Sequence, residues 1–230
     1  MQDQNAQIAW RGDDVPVSTR YDDPYFSLHD GLAETRHVFL AGNGLPGRLK
    51  PGFHVAELGF GTGLNLLATL ALWRTSGQAG ALRYTAFEAF PLPARDMIRA
   101  QGAFPELATI AAELAPSWHA GAARIARDDL EFELVTGDAR RTLPGWTGAA
   151  DAWFLDGFAP ARNPEMWQPD LLADVARHTV PGGTAATYTA AGAVRRALAG
   201  AGFDVARAPG HGRKRHMTTA RKPGGGNIDQ

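Results

Sequence analysis

Cysteine is absent from all 230 residues, which excludes disulfides, thiolate metal sites and a cysteine nucleophile together. No apolar run approaches the ~20 residues needed to span a bilayer. The N-terminus carries Asp3, Arg11, Asp13 and Asp14 and lacks the apolar stretch of a signal peptide, so a cytoplasmic location is expected. Neither sign of charge is in excess. With a formal net charge of −1, any nucleic-acid binding has to come from a local basic patch. The seven histidines are scattered, so no metal site is expected, and no internal repeat is visible. What remains, 44% apolar and 20% charged residues, is the composition of an ordinary globule with one substantial core.

The most informative stretch runs from Phe53 to Leu67. An apolar run reaches an acid, Glu57, then breaks into Gly59, Gly61 and Gly63, and an apolar helical pattern follows at once. A strand, a glycine loop and a helix in this order hold a nucleotide-like ligand beside the carboxyl end of the strand. The spacing is neither Gly-x-Gly-x-x-Gly nor a phosphate loop, since no Gly-Lys-Ser/Thr follows, which disfavours a nicotinamide dehydrogenase. An acid two residues ahead of Gly-x-Gly-x-Gly resembles the first motif of the S-adenosylmethionine-dependent methyltransferases. That cofactor carries a sulfonium charge and no phosphate, so a loop without lysine suits it.

Strand-like runs lie near 53–58, 82–88, 131–136, 150–155, 183–188, 203–208 and 216–220, with helical patterns at 63–74, 92–101, 105–115, 169–178 and 190–201. Such alternation predicts an α/β fold with a mostly parallel sheet covered on both faces. Residues 121–136 read as a hairpin around Asp128-Asp129. The last two strands are joined by a connection too short for a crossover helix, so they should pair antiparallel. A parallel sheet ending in one antiparallel hairpin is also what the methyltransferase resemblance implies: a Rossmann-like, class I fold. The first ~50 residues, with Pro16, Pro24, Pro46 and Pro51, look irregular. The expected organisation is an extension over 1–50 packing on the core, a catalytic domain over 51–221 and a flexible tail over 222–230.

Ligands of doubly wound sheets lie at the carboxyl ends of the strands. Four consecutive predicted strands end on acids: Glu57, Glu88, Asp138 and Asp156. Glu88 is placed to accept from vicinal ribose hydroxyls and Asp138 to receive an adenine amine. Each acid alone could equally cap a turn or helix. Together with Gly59, Gly61 and Gly63 they form the expected cofactor site.

The second distinctive stretch, Asp156 to Pro164, resembles in position the Asn/Asp-Pro-Pro-Tyr motif of amino-group methyltransferases. By that resemblance Asp156 holds the nucleophilic nitrogen, Phe158 packs on the substrate and Pro160 supplies rigidity. The order Asp-Gly-Phe-Ala-Pro departs from the motif, so its geometry does not carry over. Three stretches, Tyr25–Phe39 with Gly42–Pro46, Glu57–Asn65, and Phe154–Trp167 continued by Pro181–Thr184 and Gly210–Met217, are together similar to the MnmC methyltransferase family. The similarity runs over roughly 8 to 220. It implies methylation of the 5-aminomethyl group of the wobble uridine of tRNA, with Asn43 near the pocket. In many bacteria the domain is fused to a flavin-dependent oxidoreductase. Here a stand-alone methyltransferase is expected, with a separate FAD enzyme as a candidate partner. Another amine as substrate, or a non-catalytic adenosyl-ligand binder serving such a partner, are the other readings.

A wobble base is reached in the single-stranded anticodon loop, through backbone contacts and stacking. Candidate phosphate contacts are Arg213, Lys214 and Arg215, with Arg195-Arg196 on the preceding helix, and Arg162, which like Arg140-Arg141 lies just beyond a strand end on the cofactor side. Candidate stacking residues are Phe26, Phe158 and Trp167.

Overall fold

The computed structural model describes residues 5–12, 15–27 and 30–225. The chain starts with three short strands, β1 (Ile8–Arg11), β2 (Val15–Ser18) and β3 (Asp23–Pro24), paired antiparallel in that order. Helix α1 (Gly31–Thr35) follows, capped by Asp30, whose Oδ1 accepts from the Ala33 amide at 2.9 Å. It runs on into a π-type turn over Arg36–Leu40 and a short turn over Ala41–Asn43.

The alternating part then unfolds as β4 (His54–Leu58), α2 (Leu64–Thr75), β5 (Leu82–Glu88), α3 (Ala94–Gln101), α4 (Ala108–His119), β6 (Arg124–Arg127), β7 (Leu130–Thr136), α5 (Ala139–Thr142), β8 (Ala150–Leu155), α6 (Pro169–Arg177), β9 (Thr179–Thr187), α7 (Gly192–Gly200), β10 (Asp204–Pro209) and β11 (His216–Arg221). The eight strands from β4 onward form one sheet in the order β10-β11-β9-β8-β4-β5-β7-β6. Neighbours from β9 to β7 are parallel, while β11 runs against β9 and β10, and β6 runs against β7. The mostly parallel α/β sheet, the antiparallel C-terminal pair and the hairpin at 121–136 are therefore as expected.

Strand β4 is buried on both faces, and its period-2 alternation sorts its residues between two cores. Val55 joins the layer with Leu66, Leu70, Met97 and Leu114 of α2, α3 and α4. Ala56 and Leu58 join the layer with Leu171, Val175, Val194 and Leu198 of α6 and α7. The order reverses at β4, with β8 on one side and β5 on the other, and there the carboxyl ends of three strands diverge into a crevice.

Two expectations need correction. Among the described residues before 50, most fall in short strands, a helix and helical turns. Strands of two to four residues that include Pro16 and Pro24 are too short to show a pattern, yet β3 and the residues flanking it line the crevice. Nor does a flexible tail begin at 222. The Lys222 ammonium donates at 2.7 Å to the carbonyls of Ala176 and Thr179, and its backbone exchanges bonds with Gly182 and Gly183. Residues 226–230 of that expected tail lie outside the described residues.

Candidate active site

The crevice at the β4 end is a cavity of about 600 Å³, within the ~300–1,000 Å³ usual for small-ligand sites. Its wall includes Gly59 and Gly61 after β4, Glu88 at the end of β5, Asp138 after β7 and Asp156 after β8. Parallel strands ending side by side bring these residues together, although as many as 97 positions separate them in the chain (Gly59 to Asp156). Phe158, Arg213 and Lys214 also face the cavity.

Gly59 shows why this loop needs glycine. Its φ is +88°, a backbone that residues with side chains rarely adopt, and a Cβ there would run into the carbonyl oxygen of Asp156. The β4 loop can thus approach the β8 loop as closely as backbone allows. Gly61 gives its amide to Glu88 Oε2 at 3.1 Å, and Phe90 gives its own to Oε1 at 2.9 Å. Burial raises the Glu88 carboxyl above its usual range, and these two amides pull it back.

Glu57 does not reach the wall. It is fully buried beneath the loop, where Oε1 accepts from Asn65 at 2.6 Å and Oε2 from the Tyr84 hydroxyl at 2.9 Å. Asn65 Nδ2 donates its other hydrogen to Asp156 Oδ2 at 2.7 Å, and Asn65 Oδ1 accepts from Thr35 at 2.9 Å. One amide thus links the acid at the end of β4 to the acid at the end of β8, with every polar atom of its side chain in use. Burial pushes the Glu57 carboxyl well above the usual carboxylate range, and Asp156 adds to the rise. Burial also pushes Asp156 up, to about 7, against the pull of Asn65. Asp156 is therefore poised to gain or lose a proton near neutral pH.

Asp138 serves two ends at once. It caps α5 through the Arg140 amide at 3.0 Å and binds the Arg140 guanidinium at 2.6 to 3.1 Å, which holds its carboxyl below the usual range. Over the cavity the N-terminal strands act as a strap. The Phe158 ring meets Tyr21 at 4.8 Å and Tyr25 at 5.1 Å, and Asp23 accepts from the Ala159 amide at 3.0 Å.

Four expected residues stand elsewhere. Asn43 is buried away from the cavity: its amide donates to the carbonyls of Phe39 and Trp153, and its oxygen accepts from Thr184 at 2.6 Å. It ties the N-terminal turns to β8 and β9. Gly63 starts α2 beneath the wall, with φ +74°. Arg162 pairs on the surface with Asp22 at 3.0 Å, and Arg215 is exposed off the cavity. Of the stacking candidates, Trp167 is buried and donates to the Phe158 carbonyl at 2.9 Å, whereas Phe26 lines the cavity against Phe104. Sequence reasoning missed Asn65, Tyr21, Tyr25, Glu34 and Tyr188. Only Asn65, a polar residue opening an otherwise apolar helix, carried a visible signal.

The chain belongs to the S-adenosyl-L-methionine-dependent methyltransferases, whose family model matches residues 105–223. It is 48% identical over 225 residues to the Caulobacter vibrioides tRNA 5-methylaminomethyl-2-thiouridine biosynthesis bifunctional protein MnmC, covering 94% of this chain. The protein of the same name from Chromobacterium violaceum is 45% identical over 227 residues, covering 93% of the chain. The chain spans only 38% and 34% of the length of those two relatives. Among solved structures, MnmC2 from Aquifex aeolicus superposes with a TM-score of 0.73 at 26% identity, covering 97% of this chain and 73% of that one. TrmN from Thermus thermophilus, with a TM-score of 0.51, 20% identity and coverage of 79% and 47%, shares the fold. The resemblance drawn from the motifs is the one these comparisons return.

The residues present fit the cofactor of that family. The cavity has the volume for it, the loop at Gly59 leaves no side chain in the space, and the wall carries carboxylates of the kind a cationic ligand calls for. Among the described residues no group of three His, Cys, Asp or Glu is placed to hold a metal, and no helix is long and apolar enough to cross a membrane.

Proposed function

We propose that this chain methylates the primary amine of a 5-aminomethyl group on the wobble uridine of tRNA, giving 5-methylaminomethyl-(2-thio)uridine. The observation that carries this reading is Asp156: a carboxyl raised to about 7 at the cavity wall, held by Asn65 and with its backbone against Gly59. The relatives named for 5-methylaminomethyl-2-thiouridine biosynthesis supply the substrate class.

Bound S-adenosylmethionine supplies an electrophilic methyl group on a sulfonium. Gly59, Gly61, Glu88 and Asp138 line its site, while Glu57 and Gly63 support the loop from below. The amine arrives protonated, because an alkylamine has a pKa near ~10. Asp156 orients it and takes its proton, and the two charges attract until the transfer neutralises both. Tyr21, Tyr25 and Phe158 exclude water and stack against the base. Holding nitrogen and methyl in contact supplies much of the acceleration. Arg162, Arg213 and Arg215 face the anticodon loop, giving salt-dependent affinity. The protein works in the cytoplasm, and a separate FAD-dependent oxidoreductase is its candidate partner.

Mass spectrometry of wobble nucleosides from a deletion strain tests the proposal. Accumulated 5-aminomethyl-(2-thio)uridine is expected; unchanged tRNA modification would remove it.

A further inference from the structure

The loop between β10 and β11 is folded inward. Gly210 donates to the Arg215 carbonyl and Lys214 to the His211 carbonyl, both at 3.0 Å. A Cβ on Gly210 would run into the Lys214 carbonyl, so glycine is what lets the loop close on itself. The result is that Lys214, expected as a phosphate contact, turns its head into the cavity. Its ammonium pairs with Glu34 Oε1 at 2.8 Å and stands 3.9 Å above the centre of the Tyr188 ring. Tyr188 is itself fixed, donating its hydroxyl to the Gly157 carbonyl at 2.8 Å, next to Asp156.

Glu34, Tyr188, Lys214 and Asp156 all line the same cavity. The Glu34 side chain is only 13% exposed, so its charge acts where water screens little. Asp156 feels both neighbours, since Glu34 raises its carboxyl and Lys214 lowers it. An acid and an aromatic face on one cation is the arrangement that recognises an alkylammonium. The head of lysine, a CH2–NH3+ group, is chemically the head of a 5-aminomethyl substituent.

We infer that Glu34 and Tyr188 form an ammonium subsite beside Asp156, and that Lys214 is its resident cation until a substrate amine displaces it. The subsite takes primary alkylammonium groups and rejects neutral substituents of the same size. On displacement Lys214 leaves through the exposed side of its loop, where 46% of its side chain is already in solvent. The inference rests on the amine-methylation reading and adds the group that selects the amine.

The two candidate roles of Lys214 predict different outcomes: removing a resident cation tightens an amine probe, whereas removing a phosphate contact does not. The probe is the nucleoside 5-aminomethyluridine, which carries no phosphate, titrated into the protein with S-adenosylhomocysteine present; 5-hydroxymethyluridine is the neutral control. Lys214→Met is expected to tighten the amine roughly threefold and Glu34→Gln to weaken it by a similar factor, the scale of a partly exposed ion pair. Neither substitution should move the neutral control or the affinity for S-adenosylhomocysteine, which reports an intact fold. Unchanged or weaker amine binding in Lys214→Met overturns the inference and leaves Lys214 as a phosphate contact. So does Glu34→Gln that binds the amine as well as the wild type does. Turnover of tRNA bearing the unmethylated amine is measured in parallel. A wild-type protein inert on that tRNA, yet binding the amine in this charge-dependent way, sinks the wobble-uridine reading and keeps the subsite.

Discussion

Asn65 sits where two carboxyl groups would otherwise face each other. By giving one hydrogen to Glu57 and one to Asp156 it keeps both in place while burial pushes both upward. The sign of the Asp156 shift sets its consequences. A carboxyl raised from its ordinary value to about 7 is favoured protonated in the fold. Stability is therefore lost as pH rises from about 4 to about 7, and the penalty is complete above that. Asp156→Asn removes the penalty. It should melt higher than the wild type at pH 8, by up to a few kcal/mol in stability, and no differently at pH 4. Its methyl transfer should fall by about a hundredfold or more, and the rising limb of the pH–rate profile with its midpoint near 7 should vanish. Stopped-assay rates from pH 5.5 to 9 check both; a surviving limb would assign it to another group. Asp156 could be read from the sequence because it ends an apolar strand. Asn65 could not be placed, because its two partners lie eight and 91 positions away and only the folded sheet brings them together.

At the scale of elements, the β4 loop and the β8 loop are in contact because Gly59 has no side chain. Gly59→Ala adds about 1–3 kcal/mol of backbone strain and forces the two loops apart. Calorimetry with S-adenosylhomocysteine should then show at least a tenfold loss of affinity together with a lower melting temperature; full affinity would mean that the loop is not the cofactor wall. The seven strands from 53 onward that pattern reading found were legible because they are apolar runs bounded by turns or by helices of different period. The strap β1–β3 was not. Its last strand and flanking residues are held by tertiary contacts: Ala159 donates to Asp23, and the Phe158 ring meets Tyr21 and Tyr25. Helix α2 shows the same effect from the other side. Leu64 to Leu70 are all buried, because α1 and the π-type turn cover the face that would otherwise meet solvent.

The whole molecule responds to its ligand as one unit, because the cavity wall is drawn from β4, β5, β7 and β8 together with the strap and the last hairpin. Ligand that binds only the folded state stabilises it, by ~2.7 kcal/mol at a hundred times its dissociation constant. S-adenosylhomocysteine at that level should raise the melting temperature by about 5–10 °C for a chain of this size, as read by calorimetry. A flat response would remove the cavity as the adenosyl site. The basic side chains at the cavity come from separate parts of the chain, Arg20, Arg140 and the Arg213-Lys214 pair, so a net charge of −1 is compatible with a locally basic rim.

The place of β11 has a consequence for synthesis. The final strand of the fold is not at an edge; it inserts between β9 and β10, and the loop before it carries Lys214 into the cavity. While residues 216–221 are still in the ribosomal tunnel, β9 keeps an open edge and the wall beside Asp156 lacks its last side chain. A nascent chain can assemble most of its cavity wall before residues 210–221 emerge, and only their arrival covers the edge of β9 and fills the place beside Glu34 and Tyr188.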